Sequence, residues 1–81
     1  MKYQNAYNRL RRIEGQIRGI EDMIAKERSD VEILIQLEAA KSSLSSVLVS
    51  MIEETLTKDE NGKVSLKEDE AKTILRLIKK N

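Results

Sequence analysis

Residues 8–20 read NRLRRIEGQIRGI. Leu10, Ile13, Ile17 and Ile20 recur at intervals of three and four, and Ala6 and Ile24 extend the row at either end. That spacing sets all six on one side of a helix. The same stretch carries Arg9, Arg11, Arg12 and Arg18, with Gly15 and Gly19 four apart. A core helix would not hold so much arginine. A surface helix would not choose glycine, which costs about 1 kcal/mol against alanine in a helix interior. One face therefore packs, and the other meets something else. At about 100° per residue, Arg11 and Arg18 fall almost on one line away from the apolar stripe. Gly15 and Gly19 lie beside them, Arg12 closes the far edge, and Arg9 sits with Lys2 at the border of the apolar face. The pattern predicts a first helix over about residues 3–26.

Working outward, Ser29-Asp30 breaks the pattern. Either residue can cap a helix, and Glu32 adds an acid to the first turn that would follow. The second helix is expected over about 30–56. Its apolar set runs Val31, Ile33, Leu34, Ile35, Leu37, Ala40, Leu44, Val47, Leu48, Met51 and Ile52, too broad for one stripe, so this helix packs on several sides. At 1.5 Å per residue it is about 40 Å long. Ser42, Ser43, Ser46 and Ser50 form a narrow strip of small polar residues that permits close helix approach. Residues 57–64 carry Asn61-Gly62 and read as a turn. A short third helix follows over about 67–80, with Ile74, Leu77 and Ile78 on its buried side and Lys79 and Lys80 at its C-terminal end.

The chain has 81 residues, which implies one domain over 1–81. A domain this size buries only about 60% of its unfolded surface. With no Cys, Phe or Trp and two Tyr, the core must be aliphatic and no disulfide can staple it. Small staple-free domains gain stability by self-association. Ala, Glu, Lys, Leu and Arg make up 39 of the 81 residues, a helical composition. Two long helices cannot bury both faces in one monomer, whereas two such hairpins laid antiparallel make a four-helix bundle. The expectation is an all-α homodimer of that kind, or a homotetramer built as a dimer of dimers. No apolar run approaches the ~18 residues a membrane span needs, and no signal-peptide pattern opens the chain. A cytoplasmic address is expected.

Charge is unevenly spread. Residues 1–18 hold five cations, Lys2, Arg9, Arg11, Arg12 and Arg18, against Glu14, a net of +4; the whole chain is +1, so the remainder is −3. A basic third and an acidic remainder suggest a face for an anion, either nucleic acid or the acidic face of a sister subunit. Enzyme chemistry has little to work with, for there is no His and no Cys. The carboxylates are interspersed with Lys and Arg as on solvated helix faces, and Gly15 and Gly19 follow no strand as a phosphate loop requires. Residues 57–68, TKDENGKVSLKE, approach a calcium loop: Asp59, Asn61, Gly62 and Glu68 stand at loop positions three, five, six and twelve, but Thr57 takes the first position, where Asp is needed. The plainer reading is an acidic turn. The arginines suit phosphate, because a guanidinium presents a planar fork. Intersubunit salt bridges would suit them as well.

The stretch RLRRIEGQIRGI resembles the first-helix signature of the small helical repressors CsoR, RcnR and FrmR, which respond to copper, to nickel or cobalt, and to formaldehyde. DVEILIQLEAAKSSL is similar to the family's second helix, and the resemblance runs through residues 7–56 without a gap. It implies an all-α dimer built as an antiparallel four-helix bundle, usually paired into a flat tetramer. It implies repression of an efflux or detoxification operon by binding double-stranded operator DNA, without a helix-turn-helix. Basic residues of the first two helices would face the DNA: Arg9, Arg12 and Arg18 first, with Arg11 and Lys41 behind them.

The likeness fails at the family's effector site. Its sensing Cys stands at the start of the second helix, where this chain has Asp30. The His and Cys that complete the copper site from the partner subunit fall at Thr55 and Asp59. Thiophilic metals need thiolate ligands, and formaldehyde and persulfide chemistry need a nucleophilic sulfur. Sensing by those routes is excluded by composition. Family members often carry a basic residue near Ser45-Ser46, and here the basic surface is thinner. The expectation is a repressor with no metal or other cofactor, its Cys/His sensor lost. Two alternatives stand beside it: a helical interaction module that no longer binds DNA, and a sensor of hard ions such as Ca²⁺, Mn²⁺ or Mg²⁺ held by Asp30, Thr55 and Asp59 across a dimer or by the calcium-like loop.

Overall fold

The computed structural model describes residues 1–56 and 66–80. They form three helices, α1 (Gln4–Ala25), α2 (Asp30–Thr55) and α3 (Glu68–Lys80). Among the described residues there is no strand. The expected turn at 57–64 and most of the calcium-like loop lie outside the described residues.

The residues at the helix ends explain the bounds. Tyr3 precedes α1 in a left-handed conformation, φ 62°. At the other end Glu27 is also left-handed, φ 54°. Its N–H donates to the Ile24 carbonyl at 3.1 Å, and the Arg28 N–H reaches back to the Met23 carbonyl at 2.9 Å. This paired bonding of the last carbonyls is a Schellman motif, with glutamate at the place glycine usually takes. Ser29, not Asp30, caps α2: its Oγ accepts from the Glu32 N–H at 3.1 Å. Glu32 does not complete a capping box, because its carboxylate lies 2.9 Å from the Arg28 guanidinium.

α1 and α2 form an antiparallel hairpin, since Tyr3 meets Thr55 and Arg9 meets Ser46. The core follows their seam. Ala6, Ile13 and Val47 pack together, with Tyr3 and Met51 against them; Ile20, Ala40 and Ile52 complete the buried set. It is a thin core. The molecule measures 55 × 27 × 14 Å, a slab little more than one helix thick. Its surface of 6677 Å² exceeds the roughly 5,000 Å² of a compact monomer of 9.3 kDa.

Large apolar side chains stand in that surface. Leu10, Ile17, Ile24, Leu37 and Leu44 all stay exposed, and they line two adjoining grooves along one flank of the hairpin. α3 stands at the Thr55 end, where Leu66, Asp69, Glu70, Thr73 and Ile74 border a groove with Thr55. None of its residues is buried. Its acids, Glu68, Asp69 and Glu70, sit in the first turn, and Lys79 and Lys80 in the last, the arrangement that suits the helix dipole. Among the described residues no helix is long and apolar enough to cross a membrane.

Candidate nucleic-acid interface

Arg9 and Arg12 stand three apart on α1 and so project from one flank of it. That flank turns toward the serine strip of α2. The Arg9 guanidinium donates to Ser46 Oγ at 2.7 Å. Arg9, Arg12, Ile13, Gln16 and Ser43 line one open groove there. Arg9 is half-buried and held; Arg12 is exposed and has no hydrogen-bond or ion-pair partner among the described residues. Two guanidinium groups beside a hydroxyl and an amide line this groove, and a guanidinium presents a planar fork of donors that suits phosphate. Tying Arg9 to Ser46 removes part of the rotamer entropy that a free arginine loses on binding.

The other expected residues do not join this groove within one chain. Arg11 and Arg18 lie about 100° to 180° around α1 from Arg9 and Arg12. Arg11 sits 3.9 Å from the Glu14 carboxylate, and Arg18 is exposed. Lys41 lines the apolar grooves on the opposite flank, its Nζ 4.0 Å from the Glu38 carboxylate. The sequence reading missed Gln16 and Ser43 as groove residues and Ser46 as the partner of Arg9. A signal for them was present. Gln16 is four residues beyond Arg12 and shares its flank, and Ser43 and Ser46 are spaced as Arg9 and Arg12 are.

The positions matching the family's sensor are apart. Asp30 opens α2 and Thr55 closes it, so in one chain the length of a 26-residue helix, about 39 Å, separates them. Thr55 is already engaged. Its Oγ1 donates to the Met51 carbonyl at 2.8 Å, which leaves the Tyr3 hydroxyl, 3.2 Å away, to donate to it. Asp59 lies outside the described residues. Glu68, the last residue of the calcium-like loop, opens α3 and lies 3.5 Å from Lys72. Among the described residues no group of three or more His, Cys, Asp or Glu could hold a metal ion. Gly15 and Gly19 present bare backbone: a Cβ on either would meet nothing within 4 Å.

Fold and site together define a small all-helical module with an apolar flank, an arginine-lined flank and no thiol or imidazole. The chain belongs to the metal-sensitive transcriptional repressors, whose family model matches residues 2–80 and so takes in α3 as well as the hairpin. It is similar to the copper-sensing transcriptional repressor CsoR of Bacillus subtilis (strain 168), 43% identical over 47 residues, which are 58% of this chain and 46% of that one. It is also similar to the copper-sensing transcriptional repressor RicR of Mycobacterium tuberculosis, 42% identical over 53 residues, 65% of this chain and 55% of that one. The matched stretches thus span about half the length of these curated relatives. No solved structure matches the chain.

Proposed function

We propose that this protein is a DNA-binding transcriptional repressor that works without a Cys/His effector site. Its apolar flank pairs two hairpins into an antiparallel four-helix dimer, and two dimers make a tetramer. Each chain contributes the Arg9–Arg12 flank to a basic surface that holds operator phosphates and releases their counterions. Arg18, Arg11 and Lys41 belong to the wider surface that further copies complete. Repetition matters here, because one chain carries a net charge of only +1.

The observation that supports this most directly is the pairing of Arg9 and Arg12 in one groove, Arg9 fixed by Ser46, in a chain whose family is one of repressors. The family's metal does not fit the donors present. Asp30 and Thr55 offer oxygen only, and Thr55 spends its proton on the helix backbone. No step of the mechanism runs through a metal.

Fluorescence anisotropy tests the reading: DNA from upstream of the protein's own gene beside a scrambled duplex, across a salt series. Selective binding, with log K falling by about 0.9 per engaged phosphate for each decade of salt, is the expected result. Equal, weak binding to both duplexes would favour the second reading, a helical interaction module. The extent of exposed apolar surface along the hairpin is what speaks for that alternative.

A further inference from the structure

Arg9 and Arg12 differ from the other arginines of α1 in what stands near them. Arg11 has Glu14 three residues on, and Arg18 has Glu14 four residues before it and Glu21 three after. Neither Arg9 nor Arg12 has an acid three or four residues away on its helix; each has the other instead. Like charges at that spacing repel and weaken a helix. α2 does not answer them with a carboxylate either. It brings Ser43 to the groove and Ser46 to the Arg9 guanidinium. Gln16 and Ser43 are half-buried, and neither has a hydrogen-bond partner among the described residues. Two guanidiniums, an amide and a hydroxyl therefore line one groove with no acid among them, and each has an N–H or O–H to donate.

The groove is small, about 180 Å³. That is room for about six waters, and it is below the roughly 300–1,000 Å³ of a pocket for a larger organic ligand. Ile13 forms its apolar wall. It opens on the other flank of the hairpin from the grooves that Leu44 borders, so pairing through those grooves leaves it open. A DNA phosphate has its bridging oxygens spent on sugars. A free phosphate offers more acceptor oxygens and a second negative charge, which uses the amide and the hydroxyl as well as the two forks.

We infer that the Arg9–Arg12–Gln16–Ser43 groove is a receptor for a free phosphate ion, and that the ion competes there with operator DNA. A bound phosphate removes the repulsion between the two arginines and takes the donors that would hold the DNA backbone. The chain then has an effector site that needs no thiol and no imidazole. Competition with DNA rests on the repressor reading above; the receptor itself does not.

Inorganic phosphate is titrated by calorimetry into the full-length protein free of DNA, with sodium chloride of equal ionic strength as the blank. The expected result is a saturable heat with phosphate and none with chloride. Arg12→Ala should lower the phosphate affinity by about tenfold or more, the loss of a hydrogen bond to a charged group. Arg12 is exposed and alanine suits a helix, so this variant keeps its fold, which circular dichroism checks. Arg76→Ala removes the same charge from α3 and should leave phosphate affinity nearly unchanged. In anisotropy, phosphate should loosen the complex with upstream DNA several-fold more than chloride of equal ionic strength. No saturable heat, or equal losses in the two variants, overturns the receptor and leaves the DNA titrations to judge the repressor. Phosphate bound at the groove with the DNA complex unmoved overturns the competition. Phosphate bound at the groove of a chain that treats upstream and scrambled DNA alike overturns the repressor and the competition with it, and the receptor stands.

Discussion

The Arg9 guanidinium reaches across the α1–α2 seam and donates to Ser46 Oγ at 2.7 Å. In the family this chain resembles, a basic residue often stands near Ser45-Ser46, on α2 itself. Here the positive charge at that place arrives from α1. The serine strip is therefore a seat for arginine and not a bare surface. Arg12, one turn further along and without a partner among the described residues, is the charge left to reach outward.

Arg9→Ala and Arg12→Ala should each weaken operator binding by about 1.5–3 kcal/mol, the range for a hydrogen bond to a charged group, and should shallow the salt slope by about one. Arg76→Ala, on α3 and bonded to Thr73, should do much less. Ser46→Ala removes a neutral partner and leaves the charge, so its effect should stay near 0.5–1 kcal/mol. Anisotropy titrations at two salt concentrations decide this. Equal losses for all three arginines would end the assignment of the α1 flank.

The helices and the core stripe were legible because period and composition act locally. The spacing of six residues marked the apolar side of α1: the structure buries Ala6, Ile13 and Ile20 in the hairpin and leaves Leu10, Ile17 and Ile24 exposed in the single chain. The arginine face was legible only in part. A helical wheel places Arg9 and Arg12 on one flank, but it cannot show that Ser43 and Ser46 come to meet them, since that depends on how two helices cross. The cap of α2 was open between Ser29 and Asp30, because both side chains can accept from the backbone; Ser29 takes the role. Glu27 in a left-handed conformation left no trace, because the sequence marks that position by glycine and here there is none.

That glutamate gives a second prediction. A non-glycine residue in the left-handed region costs roughly 1–2 kcal/mol, and the Schellman bonds around Glu27 are made by backbone alone. Glu27→Gly should raise stability by about 1 kcal/mol, which for a domain of this size raises Tm by about 4–8 °C. Thermal denaturation followed by circular dichroism measures it. A lower Tm would show that the Glu27 side chain does more than endure the turn.

Tyr3 and Thr55 close the open end of the hairpin through one chain of hydrogen bonds, from the tyrosine hydroxyl to Thr55 Oγ1 and on to the Met51 carbonyl. Lys2 lies over the tyrosine ring, 5.2 Å from its centre. Tyr3→Phe and Thr55→Val should each cost about 1 kcal/mol. The double variant should cost clearly less than the sum, because both remove the same hydrogen bond. Additive losses in a denaturant cycle would mean that the two hydroxyls act independently.

Leu44 is half exposed in the single chain, yet it borders both apolar grooves. Assembly through that flank makes stability depend on protein concentration. The Tm of the unmodified protein should rise over a hundredfold increase in concentration. Leu44→Asp, which would bury a charge in the interface, should abolish the rise and yield monomer by light scattering. A leucine truly facing water would tolerate aspartate with little change, and that result would remove the four-helix dimer.

Copper gives the last prediction. Copper(I) prefers soft sulfur donors, thiolate above all. This chain has no Cys and no His; its only sulfurs are the thioethers of Met1, Met23 and Met51. Met51 is packed against the core, and Met23 lies near the far end of α1, more than four turns from it along the hairpin. The two therefore cannot share an ion within one chain, and a thioether carries no charge to offset that of the metal. Copper(I) at concentrations that saturate a thiolate site should leave the complex with operator DNA intact, by anisotropy under anaerobic conditions. Ca²⁺ and Mn²⁺ should give no EDTA-reversible thermal shift, since no group of three or more His, Cys, Asp or Glu among the described residues could hold a metal ion and Thr55 is bonded to Met51. Release of DNA by copper would require a soft site built between chains from methionines. A shift with Mn²⁺ abolished by Asp30→Asn would instead establish the oxygen-ligand site across the dimer. If neither ion acts, the proposed repressor works without these metals, and its effector is another molecule or none.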